Sequence, residues 1–178
     1  MRDLRERGLL AAHLTAGPAY GGEGEAITTA GALHHGLASG HWHAAVCGPG
    51  PGILGSGTRY GHGGMVALES AHTAAALGCQ VVVAPRRSSG DPRERHRGLS
   101  HHARTMLEMA LVPMVVASAG HPPEPSLRHH DWRKGHVDIE GYARSGLPAR
   151  TMGRSIEEDP EFFSAALAAG SVLARAAE

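Results

Sequence analysis

Short apolar runs alternate with stretches of helical periodicity along this chain, and the links between them are unequal. Runs at 9–15, 43–47, 80–84, 113–118 and 147–152 read as strands, the last weakened by Pro148. Stretches at 23–39, 65–77, 100–111 and 160–177 read as helices, with a short element at 137–145. In the first helix Ala26, Ile27, Ala30, Leu33 and Leu37 recur on one face. Ser100 and Asp159 suit helix caps, and Pro160 suits a first helical position. The helix-to-strand links are very short, as at Gly40-His41 and Gly78-Cys79. The strand-to-helix links are long and hold most of the Gly, Arg and His. In a parallel sheet those long links all leave from one edge, so they converge on a crevice at the carboxyl ends of the strands. The expected fold is a single α/β domain over residues 1–178. It would be a Rossmann-like, three-layer α/β/α sandwich with about five mostly parallel strands.

Composition narrows the partners. A chain of 178 residues with a formal net charge of zero can bury a proper core and carries no global basic charge. Nucleic acid is therefore not an expected partner, and no basic–aromatic alternation surrounds Trp42 or Trp132. No apolar run approaches the roughly 20 residues of a membrane span, so no membrane partner is expected either. Nothing at the start resembles a secretory signal, and the chain reads as cytoplasmic. Cys47 would end one strand and Cys79 begin the next, which places them at opposite sheet edges and unpaired.

The most chemically capable link is 85–102, PRRSSGDPRERHRGLSHH, with five arginines and three histidines beside Asp91 and Glu94. Arginines offer rigid, bidentate donors that suit phosphate and carboxylate. Arg86, Arg93 and Arg97 are thus the candidate clamp for a small anionic molecule. Asp91, counted with the catalytic candidates, and Glu94 would orient some of the arginines. His96, His101 and His102 are the candidate general acids or bases. His101 and His102 are adjacent, about 100° apart on a helix, so only one is expected to face the crevice squarely. Two other chemistries compete. His96 with His101 or His102 could bind a divalent metal, although the dense positive charge argues against a bare cation. Ser100 or Cys47 could act as a nucleophile with a histidine base, although no spacing singles this out. No cofactor is expected, with a divalent metal as the minor alternative. The bland alternative is a solvated loop whose ion pairs are worth about 0–1 kcal/mol each.

A second unusual link, 48–64, is rich in glycine. Gly50, Gly52 and Gly55 fit G-x-G-x-x-G, but further glycines follow where that fingerprint begins its helix. Gly52 and Gly57 have P-loop spacing, yet Thr58 stands where lysine is required. What remains is an anion cradle of backbone N–H groups, with Ser56 and Thr58 adding hydroxyls, or a turn that merely reverses the chain. Glu23 and Arg154 would lie at the same edge. The expected function is a small-anion ligand site at that edge, with histidine acid–base chemistry if the protein is an enzyme. The alternative is a non-catalytic sensing, regulatory or oligomerisation module.

CGPGPGILGSGTRYGHGGM, APRRSSGDPRERHRGLSHH and TMGRSIEEDPEFFSAALAAG resemble the bacterial domain-of-unknown-function family 3866. TAGPAYGGEGEA resembles that family's T-x-G-x-A-x-G-G-x-x-E-A segment. The resemblance covers nearly all of the chain. It implies a longer architecture whose amino-terminal half carries a motif of the M-T-D-G-A-A-L-P type, which nothing here matches. The chain would then be the carboxyl-terminal half, completed as a homo-oligomer or by a partner chain supplying the missing half. The resemblance supports the place of the site and supplies no mechanism.

Overall fold

The computed structural model describes residues 1–50 and 53–177. In chain order the elements are α1 (Arg2–Glu6), β1 (Leu14–Ala16), β2 (Gly24–Ala26), α2 (Thr29–Ala38), α3 (Val66–Ala76), β3 (Val82–Val83), β4 (Arg87–Ser88) and β5 (Gly98–Leu99). They continue with α4 (His101–Glu108), β6 (Val115–Ser118), β7 (Asp131–Lys134), α5 (Ile139–Arg144), β8 (Arg150–Thr151), β9 (Arg154–Ser155) and α6 (Pro160–Ala176).

The core is built on β6. All four of its residues, VVAS, are buried, and it pairs in parallel with β3 on one side and β7 on the other. Successive side chains of a strand point to opposite faces, and the packing follows that rule. Val115 and Ala117 meet Ala169 and Val172 of α6. Val116 joins Leu68 and Ala71 of α3, Ala103, Met106 and Leu107 of α4, and Leu99 and Leu127. Helices therefore cover both faces of the central strand. Gly135, just past β7, lets the backbone of α6 come close: a Cβ there would sit 2.5 Å from Ala168 Cα.

The general α/β character holds, but the Rossmann-like sandwich does not. The parallel sheet has three strands, not five, and β1–β2 form a separate parallel pair. The arginine-rich segment folds as an antiparallel hairpin of β4 and β5, and β8 pairs antiparallel with β9. Residues 43–47 form no strand: none of the sheets formed by the described residues includes them. The expected first helix splits: Gly24–Ala26 pairs with β1, and α2 begins only at Thr29, with Thr28 Oγ1 accepting from Gly31 N. Residues 147–152 yield only β8, turned back at Met152 and Gly153 with φ of 47° and 84°. β7 lies inside the expected loop at 120–136; its sequence, DWRK, is largely exposed and shows no apolar alternation.

Cys47 is exposed in coil and Cys79 is half-buried outside the strands, so neither marks a sheet edge. No helix among the described residues is long and apolar enough to cross a membrane. Between residues 1 and 60, only Leu33 and Gly36 of the described residues are buried.

Candidate functional site

The hairpin of β4 and β5 is tied down by two buried carboxylates. Asp159, fully buried ahead of α6, accepts from Ser88 Oγ (2.6 Å), Ser89 N (2.8 Å) and Arg154 Nε (3.0 Å). Burial works against its ionisation, but these donors outweigh it and lower its pKa. Asp91, also fully buried, accepts at Oδ1 from Arg93 N and Nε (3.0 Å each). At Oδ2 it accepts from Arg86 (2.8 Å) and Arg93 (3.0 Å), and Arg154 Nη2 stands 3.8 Å away. The Arg93 guanidinium, then its N–H and Arg86, hold the Asp91 carboxyl far below the usual carboxylate range. Arg97 Nε donates to Asp91 O at 3.0 Å. Arg86, Arg93, Arg97 and Arg154 are thus brought together, but around Asp91 and Asp159.

Beyond the hairpin, Gly98 turns at φ 61° and Ser100 starts α4. Ser100 Oγ accepts from His102 N and lies 2.8 Å from His96 Nδ1. That is nucleophile–base distance, yet both residues are fully buried. In this arrangement the pair fixes the entry to α4.

The glycine-rich segment meets α4 at its far end. Gly55 bridges His62, and Gly63 N donates to Leu54 O at 2.8 Å, which locks the turn and lays His62 on the first turn of α4. The His62 ring stacks on His102 (centroids 4.1 Å, 16°) and stands edge-on to His101 (5.1 Å, 63°). One ring nitrogen from each of His62, His101 and His102 lies within 4.8 Å of the others. His101 and His102 thus both lie against His62, one edge-on and the other stacked.

His62 Nε2 lies 3.0 Å from Thr105 Oγ1, a contact in which either atom can be the donor, and the same hydroxyl is within reach of His101 O (2.9 Å) and His102 O (3.2 Å). The other ring nitrogen, Nδ1, is buried and has no hydrogen-bond partner. Gly64 makes room for it: a Cβ there would lie 2.9 Å from Nδ1 and 3.2 Å from His102 Cβ. Burial depresses the pKa of each ring. His101 and Arg95 reinforce this at His62, and Arg95 does so at His101. His102 is pushed down to about 4, by burial and then by His62. All three imidazoles are neutral near pH 7 and have lone pairs to give.

The remaining candidates lie elsewhere. Ser56 and Thr58 close an exposed turn on themselves: Ser56 N donates to Gly61 O (2.6 Å), and the two hydroxyls are 2.9 Å apart. Gly50, Gly55 and Gly57 are exposed, and Gly52 lies outside the described residues. Glu23 accepts from Arg5 Nε (2.7 Å) and His13 N (3.2 Å), and none of its hydrogen bonds reaches the arginine hairpin. A cleft of about 510 Å³ is lined by Leu14, Glu25, Ile27 and His35 and shares no residue with the histidine cluster. His62, Thr105 and Arg95 were not singled out from the sequence, and Asp159 was expected only as a helix cap. The available signal for His62 was a lone histidine among glycines just before a helix, and for Thr105 its i+4 spacing from His101.

The family described as protein of unknown function (DUF3866) matches residues 1–170. The chain belongs to that family. A DUF3866 match of this extent does not bear out a carboxyl-terminal half alone, and it assigns no bacterial source. No curated protein and no solved structure matches the chain.

Proposed function

We propose that this DUF3866 protein is a metal-site protein in which His62, His101 and His102 hold a zinc-class divalent ion and leave a fourth position open. The observation that supports this best is that one ring nitrogen from each of His62, His101 and His102 lies within 4.8 Å of the others, and that His62 Nδ1 is buried and has no hydrogen-bond partner. Metal-bound histidines characteristically spend their second ring nitrogen on a hydrogen bond, as His62 does at Nε2. Zn–N bonds of about 2.0–2.1 Å in a tetrahedron put the nitrogens ~3.3 Å apart. The cluster lies within 4.8 Å, and binding would require the stacked His62 and His102 rings to turn so that their in-plane lone pairs meet at one point. Held by three neutral ligands, such an ion would keep its full charge and would supply Lewis-acid polarisation and an activated water to a small substrate.

Equilibrium dialysis of the full chain against Zn²⁺ tests this, with bound metal measured by elemental analysis. About one zinc per chain is expected. His62→Ala should weaken affinity by about 100-fold, whereas the exposed His34→Ala should leave it unchanged. Absence of stoichiometric binding, or equal binding by His62→Ala, overturns the proposal.

A further inference from the structure

The arginines around the histidine cluster are not equivalent. Arg86 and Arg93 are paired with Asp91, Arg87 with Glu161, Arg104 with Glu124, and Arg59 with Glu108. Arg97 is held by a backbone carbonyl. Arg95 differs: among the described residues no carboxylate lies within ion-pair distance of it, and its one side-chain hydrogen bond is to His96 Nε2, 3.3 Å away. It is exposed to solvent. The His96 ring in turn meets His102 edge-on, with centroids 4.8 Å apart. A guanidinium with free donors thus stands beside the three-histidine cluster, one imidazole away from it.

Charge balance gives that position a meaning. The cluster contains no carboxylate, and the nearby Asp91 and Glu108 are already neutralised by arginines. The first turn of α4 adds the positive end of a helix dipole. A divalent ion held there by three neutral imidazoles leaves net positive charge in a partly buried place, which an anion in the fourth position would offset. Arginine is the side chain whose planar donors match the two oxygens of a carboxylate or phosphate.

We infer that Arg95 is the recognition residue for a small oxyanion, carboxylate or phosphate, bound between its guanidinium and the metal at His62, His101 and His102. This rests on the metal reading given above. The anion site is then narrower than the clamp expected from sequence, since Arg86, Arg93 and Arg97 serve the hairpin and Arg95 serves the ligand.

The test uses the full chain loaded with Co²⁺, whose visible absorption reports its ligands. Inorganic phosphate and acetate are titrated separately, so the arms distinguish the two kinds of oxyanion. In the wild type at least one should change the spectrum saturably. Arg95→Ala should retain Co²⁺ affinity and weaken oxyanion binding by roughly 10- to 100-fold. Arg97→Ala should weaken it by less than about 3-fold, since Arg97 serves the hairpin. Metal binding with no response to either oxyanion overturns the inference about Arg95 and leaves the metal site standing. So does an Arg95→Ala response equal to that of the wild type. Failure of the wild type to bind Co²⁺ overturns both readings, and the metal titration alone shows it.

Discussion

Replacing Asp91 with Asn tests whether the arginine hairpin is held together by its own carboxylate. Asp91 is fully buried and receives four donor contacts at 2.8–3.0 Å from Arg86 and Arg93. Asn keeps the volume but removes the charge and turns an N–H₂ group toward guanidinium donors. Removing one partner of a buried ion pair costs about 3–5 kcal/mol. The side chains of Arg86 and Arg93 are 24% and 45% exposed, so water recovers part of their solvation. A net loss of about 2–3 kcal/mol remains. At about 2–4 °C per kcal/mol for a chain of this size, Tm should fall by roughly 4–12 °C at pH 7. The pH dependence carries a sign. Arg93 and Arg86 lower the folded-state pKa of Asp91 below the ordinary value near 3.9. The wild type therefore keeps this stability above about pH 5 and loses it as pH falls toward the folded value. The amide of the Asp91→Asn variant does not titrate, so the gap between the two melting temperatures should shrink from about pH 5 to pH 3. Melting curves followed by circular dichroism at pH 7, 5, 4 and 3 measure it. A variant within about 2 °C of wild type at pH 7, or a gap that stays constant down to pH 3, refutes the reasoning.

Two further substitutions probe close approach. Gly64→Ala would put a methyl group 2.9 Å from His62 Nδ1 and 3.2 Å from His102 Cβ, so it should lower zinc affinity by about tenfold with little change in Tm; competition with a chromogenic chelator measures the affinity. Gly135→Ala would drive a Cβ into the backbone of α6, 2.5 Å from Ala168 Cα, and should cost about 1–3 kcal/mol or more, read as a fall in urea midpoint without change in the metal site.

Elements whose apolar pattern reflects burial were legible. β6 is buried on both faces and reads as an uninterrupted apolar run, and α3 and α6 carry helical apolar stripes with clear ends. β7 was not, because an edge strand with exposed Asp131, Arg133 and Lys134 has no apolar face to alternate. Residues 43–47 have a strand-like composition, but composition cannot supply the partner a strand needs. At the site, the sequence located the dense charge and could not say how it is spent. The pairing of Ser88 and Ser89 with Asp159 joins residues on the hairpin to one at the start of α6, about seventy positions on, and only the tertiary fold brings them together. The same holds for His62: its partners lie on α4, and nothing local marks a glycine-flanked histidine as their neighbour.

The stacking of His62 on the first turn of α4 has a mechanical consequence. If the proposed ion is bound, sharing it between His62 and His101 would cross-link the intervening stretch of chain, much as a disulfide would. For a loop of about 40 residues, chain entropy makes such a tie worth about 4 kcal/mol against the unfolded ensemble. The tie would sit where the weakly buried first sixty residues join the packed core, at residue 62 itself. It would hold the carboxyl end of that segment against α4, in addition to the packing of α2 on α3.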